Sequence, residues 1–203
     1  MFVVGLTGGV AAGKSTAAAW FRAQGVPVVD ADQAARDVLA PGTPGLADVV
    51  AAFGPQVLDA SGALDRPAMR ARIFADAQAR LTLNAITHPR IRALVRERLG
   101  QVGGPYAVLD VPLLVESPVL RDLADRILVV DVPETVQLDR LMARDGMTAA
   151  AAQAMLDAQA TRAQRLGAAH DVVANVGTRD ELGAQLAVFH ANYLRLAHTR
   201  QAR

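Results

Sequence analysis

The 203-residue sequence contains no cysteine, which excludes disulfide bonds, thiolate metal sites and cysteine nucleophiles. No apolar run in it reaches the roughly 18 residues that a membrane-spanning helix needs. The first residues also lack the basic segment that opens a secretory signal peptide. We therefore expect a cytoplasmic protein that makes no use of a membrane.

An excess of charge of one sign is also missing. Lys and Arg number 21 against 20 Asp and Glu, which gives a net charge of +1. This balance argues against a general nucleic-acid-binding surface, and the sequence indicates no obligate protein partner. Lysine itself is almost absent, because Lys14 is the only one and arginine supplies the rest. In a chain so biased towards arginine, a single lysine needs a specific reason.

Strand-like apolar runs alternate with alanine-rich helical stretches, and 52% hydrophobic residues are ample for a core. Strands separated by helices predict a parallel sheet covered on both faces by helices, within a single domain over residues 1–203. The stretch 66–99 has no strand pattern and is predicted to be a helical insertion. Strands are predicted at 2–6, 26–30, 106–111, 126–132 and 171–174, and helices at 14–24, 33–39, 46–53, 66–99 with a boundary at Pro89, 134–144, 148–166 and 179–198.

A phosphate-binding motif follows the first predicted strand and opens the first predicted helix. The run Gly8-Gly9-Val10-Ala11-Ala12-Gly13-Lys14-Ser15 fits G-x-x-x-x-G-K-[ST] in full. Glycines let backbone N–H groups approach phosphate oxygens, and the helix N-terminus favours an anion. Lys14 would reach the β- and γ-phosphates, and the Ser15 hydroxyl would bind Mg²⁺. A compact ammonium suits this position better than a planar guanidinium, which explains the lone lysine.

The lone lysine also narrows the class of nucleotide-binding protein. A GTPase would need a second lysine for its Asn-Lys-x-Asp guanine-reading motif, and none exists. The Leu-Ser-Gly-Gly-Gln segment of transporter ATPases is also missing. The motif therefore favours a small-molecule kinase.

Acidic residues follow two of the predicted strands, at the sheet edge where sites of parallel α/β proteins are built. Asp30 and Asp32 would point the same way if the strand continued through both of them. Asp32 is then a candidate to accept the proton of an acceptor hydroxyl, or else a helix cap. Asp110 resembles the strand-end aspartate that holds Mg²⁺, although a turn role before Pro112 fits it equally.

Arginines recur on the later predicted helices. Arg140 and Arg144 are four residues apart and share a helix face, and Arg162 and Arg165 follow in the next stretch. Arginines near a phosphate loop can neutralise a transferred phosphoryl group. The alternative for each is a solvated helix face in an arginine-rich chain.

Taken in order, several segments resemble the dephospho-CoA kinase family over nearly the whole chain. The Asp-Ala-Asp segment and the Val-Pro-Leu-Leu-Val-Glu segment are together the most discriminating. The matching segments are Leu6–Gly9, Gly13–Thr16, Val29–Asp32 with Ala35-Arg36, Arg72–Phe74, Thr87–Pro89, Val111–Glu116, Val129–Asp131, Gln159–Arg162 and Asp171–Asn175.

The resemblance implies a parallel-sheet core, a helical region at about 61–104 that binds the CoA substrate, and a mobile lid at about 140–168. It implies ATP and dephospho-CoA as substrates, Mg²⁺ as cofactor, and transfer of the γ-phosphoryl group to the ribose 3′-hydroxyl. By position, Asp32 becomes the general base, with Lys14 and Arg140 also catalytic. ATP contacts are assigned to Gly8, Gly9, Ala11, Ala12, Gly13, Lys14, Ser15, Thr16, Arg144 and Asn175, acceptor contacts to Thr7, Asp32, His88, Pro112, Leu113, Glu116 and Arg162, and metal contacts to Ser15 and Asp110.

One departure from the family pattern lies inside the phosphate loop. Ala11-Ala12 stands where the family usually has Gly-Ser. We expect ATP binding to survive if the φ angles of both alanines are negative. Two other functions remain open from the residues alone: a nucleoside or nucleotide kinase of the same architecture, and a nucleotide-binding regulatory module without acceptor chemistry.

Overall fold

The structure is a computed structural model that describes residues 1–201, without the side chains of Pro118 and Gln201. The chain forms two compact units, one of Met1–Asp30 with Leu99–Arg203 and one of Ala31–Arg98. Its strands are β1 (Phe2–Gly8), β2 (Val28–Asp30), β3 (Tyr106–Asp110), β4 (Arg126–Asp131) and β5 (Asp171–Ala174). Its helices are α1 (Lys14–Ala23), α2 (Ala31–Val38), α3 (Pro44–Phe53), α4 (Arg66–Ala75), α5 (Ala77–Gln101), α6 (Pro118–Arg121), α7 (Glu134–Asp145), α8 (Ala149–Asp157), α9 (Arg162–Ala168) and α10 (Arg179–Gln201), with a 3-10 turn at Pro55–Val57.

The larger unit is built on a five-stranded parallel sheet in the order β2-β3-β1-β4-β5. The predicted parallel sheet flanked by helices is therefore confirmed. Because β1 lies in the middle, its C-terminal end at Gly8 falls between those of β3 and β4. Loops that follow neighbouring parallel strands meet at one edge of the sheet, which is where this architecture forms its sites.

Strand alternation assigns the two faces of the sheet. On one face, alternate residues of β1 such as Val4 and Leu6 pack with α1 and α10 in the main core. The other face is close-packed as well, because a Cβ built on Gly5 would lie 2.7 Å from Leu114 Cδ2. Both faces of β1 are thus buried, as its continuous apolar run predicts.

The smaller unit is helical and has its own core. Residues of α3, α4 and α5, among them Val49, Phe53 and Met69, form that core. The Arg72 guanidinium lies 5.0 Å from the centre of the Phe53 ring and also donates to the Phe53 carbonyl. The predicted helical character of the stretch 66–99 is borne out in α4 and α5.

The predicted helix boundary at Pro89 is wrong, because α5 runs through it from Ala77 to Gln101. Proline removes one backbone donor and crowds the carbonyl four residues earlier, which usually ends a helix. Here Leu83, Ile86 and Ile91 pack on the core from both sides of Pro89. Burial of this apolar face outweighs the local cost.

The predicted helix over 148–166 is also wrong, because two helices, α8 and α9, occupy that stretch. Thr161 ends the interruption with a capping box, in which its side chain accepts from the Gln164 N–H while the Gln164 side chain accepts from the Thr161 N–H. Such a box stabilises a new helix start.

Candidate active site

The phosphate loop folds as the motif predicts, between the end of β1 at Gly8 and the start of α1 at Lys14. It borders a cleft of about 750 Å³. Gly13 has φ +94°, and a Cβ added there would lie 2.1 Å from Asn175 Nδ2, so only glycine fits. Besides the loop itself and the start of α1, the cleft is lined by Pro112, Arg140, Ala143, Arg144, Gln159, Asn175, Gly177 and Arg179.

Side chains from later elements fix the backbone of the loop. Gln137 Nε2 donates to the Val10 carbonyl at 2.6 Å, and Gln159 Oε1 accepts from the Val10 N–H at 3.0 Å. Asn175 Nδ2 donates to the Ala12 carbonyl at 2.8 Å. Contacts from α7, the α8–α9 connection and the residue after β5 therefore fix the loop conformation. The glycines of the loop allow this conformation but do not by themselves impose it.

The condition of negative φ at both alanines is not met at Ala11. Ala11 has φ +57° and is the only non-glycine residue within 1–201 with a positive φ. The left-handed region costs an L-residue about 1–2 kcal/mol. Arg140 Nη1 donates to the Ala11 carbonyl at 3.3 Å, and the fixed neighbours on either side hold the residue in place. The usual glycine of this position has thus been replaced at the cost of local strain.

Lys14 is ion-paired with Asp110, and the two side chains are 18% and 8% exposed. Asp110 ends β3 and lies opposite Asp30 of β2 in the sheet register. Burial raises the pKa of the Asp110 carboxyl above its ordinary value, while the hydrogen bond from Lys14 acts in the opposite direction. A cation and a carboxylate thus meet where the strand ends, as expected for a site that handles phosphate and metal.

Oxygen ligands suited to Mg²⁺ are present at this strand end. Ser15 offers an exposed hydroxyl in the first turn of α1, and Asp110 offers its carboxylate. Mg²⁺ prefers oxygen ligands and keeps several of its waters, so few protein ligands suffice. No group of three or more His, Cys, Asp or Glu side chains suited to a metal occurs among the described residues.

The arginines differ from one another in their surroundings. Arg140 also donates to the Asn175 carbonyl at 2.8 Å, and Arg144 pairs with Asp145 at 2.7 Å. Arg162 makes a bidentate pair with Asp131 at 2.7 and 2.9 Å, and its side chain is 43% exposed. The cleft is lined by Arg140 and Arg144 but not by Arg162.

Four of the residues assigned to acceptor contacts lie in or beside the segment after β3. Thr7 is 1% exposed and donates to the Pro112 carbonyl at 3.0 Å, so its hydroxyl supports this segment. Pro112 lines the cleft, and Leu113 is 44% exposed. Glu116 accepts from the Ala160 N–H at 2.7 Å and thereby tethers the α8–α9 connection.

Two further predicted site residues belong to the helical unit. β2 ends at Asp30, as predicted, and α2 begins at Ala31, so the strand does not continue to Asp32 and the two carboxylates do not share a strand face. Asp32 lies in the first turn of α2, one residue inside the helix and not at its cap. Within residues 1–201 its exposed carboxylate forms no hydrogen bond or ion pair. His88 lies half-buried in the middle of α5.

Comparison with known proteins gives the family of this chain. The family described as Dephospho-CoA kinase matches residues 2–181 of the chain. The chain belongs to the dephospho-CoA kinase family. Two similar relatives carry that name, from Dechloromonas aromatica at 49% identity over 97% of this chain and 95% of that protein, and from Xanthomonas oryzae at 50% identity over 95% and 96%. The predicted resemblance is confirmed.

Solved structures show that this member of the dephospho-CoA kinase family shares its fold with proteins of known structure. The crystal structure of TT1252 from Thermus thermophilus has a TM-score of 0.82 at 29% identity and covers 94% of this chain and 97% of its own. The dephospho-CoA kinase of Campylobacter jejuni has a TM-score of 0.71 at 24% identity and covers 95% and 97%. Within residues 1–201, no helix is both long enough and apolar enough to cross a membrane.

In this member of the dephospho-CoA kinase family, some residues that contact the phosphate loop or line the cleft were not predicted from the sequence. Gln137 and Gln159 hold the loop but belong to no motif whose spacing implies such a role. Arg179, at the start of α10, lines the cleft from a helix predicted only as a closing element. The capping box at Thr161 was a usable pattern, and it would have placed the α8–α9 connection correctly.

Proposed function

We propose that this chain transfers the γ-phosphoryl group of ATP to the ribose 3′-hydroxyl of dephospho-CoA, giving coenzyme A and ADP. One observation carries the proposal: a complete phosphate loop, with Lys14 at the start of α1, borders a cleft of about 750 Å³ in a chain of this family. The relatives named dephospho-CoA kinase cover nearly its full length, which supports the same acceptor.

The phosphate loop binds the triphosphate through its backbone N–H groups. The N-terminus of α1 adds a favourable field for the anion. The ammonium of Lys14 neutralises charge on the transferred group as it leaves ADP. Arg140, which lines the cleft and holds the Ala11 carbonyl, keeps its guanidinium beside the phosphates.

We assign divalent-metal binding to Ser15 and Asp110, and Mg²⁺ is the ion that their oxygen ligands suit. Bound with ATP, such an ion would lower the negative charge of the phosphates. Asp110 is paired with Lys14 in the structure, so the ion and the lysine would share one carboxylate. This arrangement couples the position of Lys14 to the metal site.

Asp32 is proposed as the general base that takes the proton of the acceptor hydroxyl. Its carboxylate is exposed and forms no described interaction, so it is available for a proton. It follows β2 by two residues, and β2 ends beside Asp110 in the sheet register.

The helical region at about 61–104 is proposed to bind the CoA part of the acceptor, and the segment at about 140–168 is proposed to act as the lid. The side chains proposed to contact the acceptor are those of Thr7, His88, Pro112, Leu113, Glu116 and Arg162.

The deciding experiment measures ADP formation from MgATP with three acceptors in parallel: dephospho-CoA, a panel of nucleosides, and none. We expect acceptor-dependent ADP release with dephospho-CoA alone. Release with nucleosides instead would identify a nucleoside kinase. ATP binding without release in any arm would identify a nucleotide-binding module and overturn the proposal.

A further inference from the structure

Arg165 is a buried cation beneath the phosphate loop. Arg165 is 7% exposed, whereas the other residues of the short helix α9 are half-buried or exposed. No carboxylate within the described chain forms an ion pair with it, and the acidic residues of the adjoining cavity, Glu134 and Asp157, are exposed. A buried charge is costly unless it is compensated, so this one calls for an anion.

The guanidinium connects to the loop through one buried glutamine. Arg165 Nη2 donates to Gln137 Oε1 at 3.4 Å, and Gln137 is 1% exposed. The amide of Gln137 is thereby oriented with its nitrogen towards the loop, where it donates to the Val10 carbonyl at 2.6 Å. Because an amide has one donor end and one acceptor end, fixing one end fixes the other.

The loop backbone also rests directly on this pair. A Cβ built on Gly9 would lie 2.3 Å from Gln137 Nε2 and 2.8 Å from Arg165 Nη2. Position 9 therefore requires glycine, because a side chain there would collide with Gln137 and Arg165. The other nitrogen, Arg165 Nη1, donates to the Ala160 carbonyl in the α8–α9 connection, which also carries the Gln159 contact to the Val10 N–H.

We propose that Arg165 is a positioning residue for the phosphate loop. It acts through Gln137 to orient the Val10 peptide, and its uncompensated positive charge is neutralised by the triphosphate bound across Gly9. Nucleotide phosphates are then bound by a preorganised loop with a cation beneath it, where the surrounding protein screens the charge less than water does. The proposal rests on nucleotide binding by this loop and not on the identity of the acceptor.

The test compares calorimetric dissociation constants for ATP, ADP and adenosine across four variants. Arg165→Met removes the charge, Arg165→Lys restores it, and Gln137→Glu keeps a partner for Arg165 but cannot donate to the Val10 carbonyl. Arg195→Met is the matched control, since Arg195 is exposed on α10 and its guanidinium donates to Asn192 Oδ1 on the same helix, away from the phosphate loop.

We expect Arg165→Met to weaken ATP and ADP binding by about 10- to 100-fold, the usual range for a charge-assisted contact. Adenosine affinity should be unchanged, Arg165→Lys should recover much of the loss, and KM for ATP should rise more than kcat falls. Gln137→Glu should also weaken ATP while the melting temperature holds, and Arg195→Met should match the wild type.

Two results would overturn the proposal. One is an ATP affinity of Arg165→Met within about threefold of the wild type. The other is an equal loss for ATP and adenosine together with a lower melting temperature, which indicates a merely structural role. If Arg165→Met does not fold, unchanged ATP affinity in Gln137→Glu overturns it instead. Failure of the acceptor reaction with intact ATP binding would contradict the proposed function alone.

Discussion

The ammonium of Lys14 donates a hydrogen bond to the buried carboxylate of Asp110, so the one lysine of the sequence is held by the end of β3. This contact fixes a long, flexible side chain beside the phosphate loop before nucleotide arrives. It also compensates a carboxylate that burial would otherwise favour in its protonated form. The cation proposed to act on the phosphoryl group and the carboxylate proposed to bind the metal are thus positioned by each other.

Replacement of Lys14 should abolish transfer while the fold survives. Lys14→Ala removes the charge that stabilises the transferred phosphoryl group, and we expect kcat to fall by about 10²-fold or more. Lys14→Arg should also be poor, because a planar guanidinium does not fit a site shaped for an ammonium. The measurement is ADP formation with dephospho-CoA at saturating ATP, with Arg195→Ala as an unaffected control. Near-normal turnover of Lys14→Ala would disprove the role given to the loop.

Replacement of Asp32 by asparagine should separate chemistry from binding. Asn keeps the size of the side chain but cannot accept a proton as a carboxylate does. General-base catalysis typically contributes about 10²–10⁴-fold, and we expect kcat to fall by that amount. Calorimetric ATP affinity should stay the same, since the phosphates are bound by the loop. A loss of less than about threefold would assign the base elsewhere, with Asp110 next to test. A collapse of ATP binding would instead place Asp32 among the metal ligands.

Replacement of each phosphate-loop alanine by glycine should change the free energy of unfolding, and the two changes should have opposite signs. Ala11→Gly relieves a left-handed strain of about 1–2 kcal/mol, and part of that gain is lost to the greater freedom of the unfolded chain. We expect the free energy of unfolding to rise by about 0.5–1 kcal/mol. Ala12→Gly has no such strain to relieve, so it should lower stability by about 0.4–1 kcal/mol. Urea denaturation of both variants is the check, and changes of the same sign would contradict the strain at Ala11.

The sequence predicted the regular parts of this fold because their causes are local. The run Phe2 to Leu6 is apolar throughout, and the spacing from Gly8 to Ser15 is a direct requirement of phosphate binding. Both appear in the structure where the pattern places them.

Contacts between residues distant in sequence were beyond prediction. Gln137 and Val10 are 127 positions apart, and no spacing rule relates them. The positive φ of Ala11 results from such contacts, since alanine by itself favours the negative region. The break before Thr161 differs from these cases, because its capping-box pattern is local and visible in the sequence.

Alkaline pH should destabilise the protein through its two tyrosines. Tyr106 and Tyr193 are 1% and 0% exposed, and burial raises the pKa of both phenols above the ordinary value of about 10. Above about pH 10 the unfolded chain releases these protons while the native state keeps them, so stability falls as pH rises. The slope is about 1.4 kcal/mol per pH unit for each tyrosine.

Urea denaturation of the wild type and of Tyr106→Phe between about pH 9 and 11.5 checks this expectation. The variant loses the hydrogen bond between Tyr106 and His190, which lowers stability at every pH. Its pH slope should nevertheless be about half that of the wild type, because one titrating phenol remains. An unchanged slope would mean that groups other than Tyr106 and Tyr193 cause the loss of stability at alkaline pH.

The position of Lys14 at the first residue of α1 gives the chain an unusual property towards proteases. A protease that cuts only after lysine has a single target in the whole sequence, the peptide bond between Lys14 and Ser15. Cleavage there requires the start of α1 to unfold locally, and ligands that bind the native loop suppress such opening. One cut, yielding two fragments of known length, therefore reports directly on the local stability of the nucleotide site in the unmodified protein.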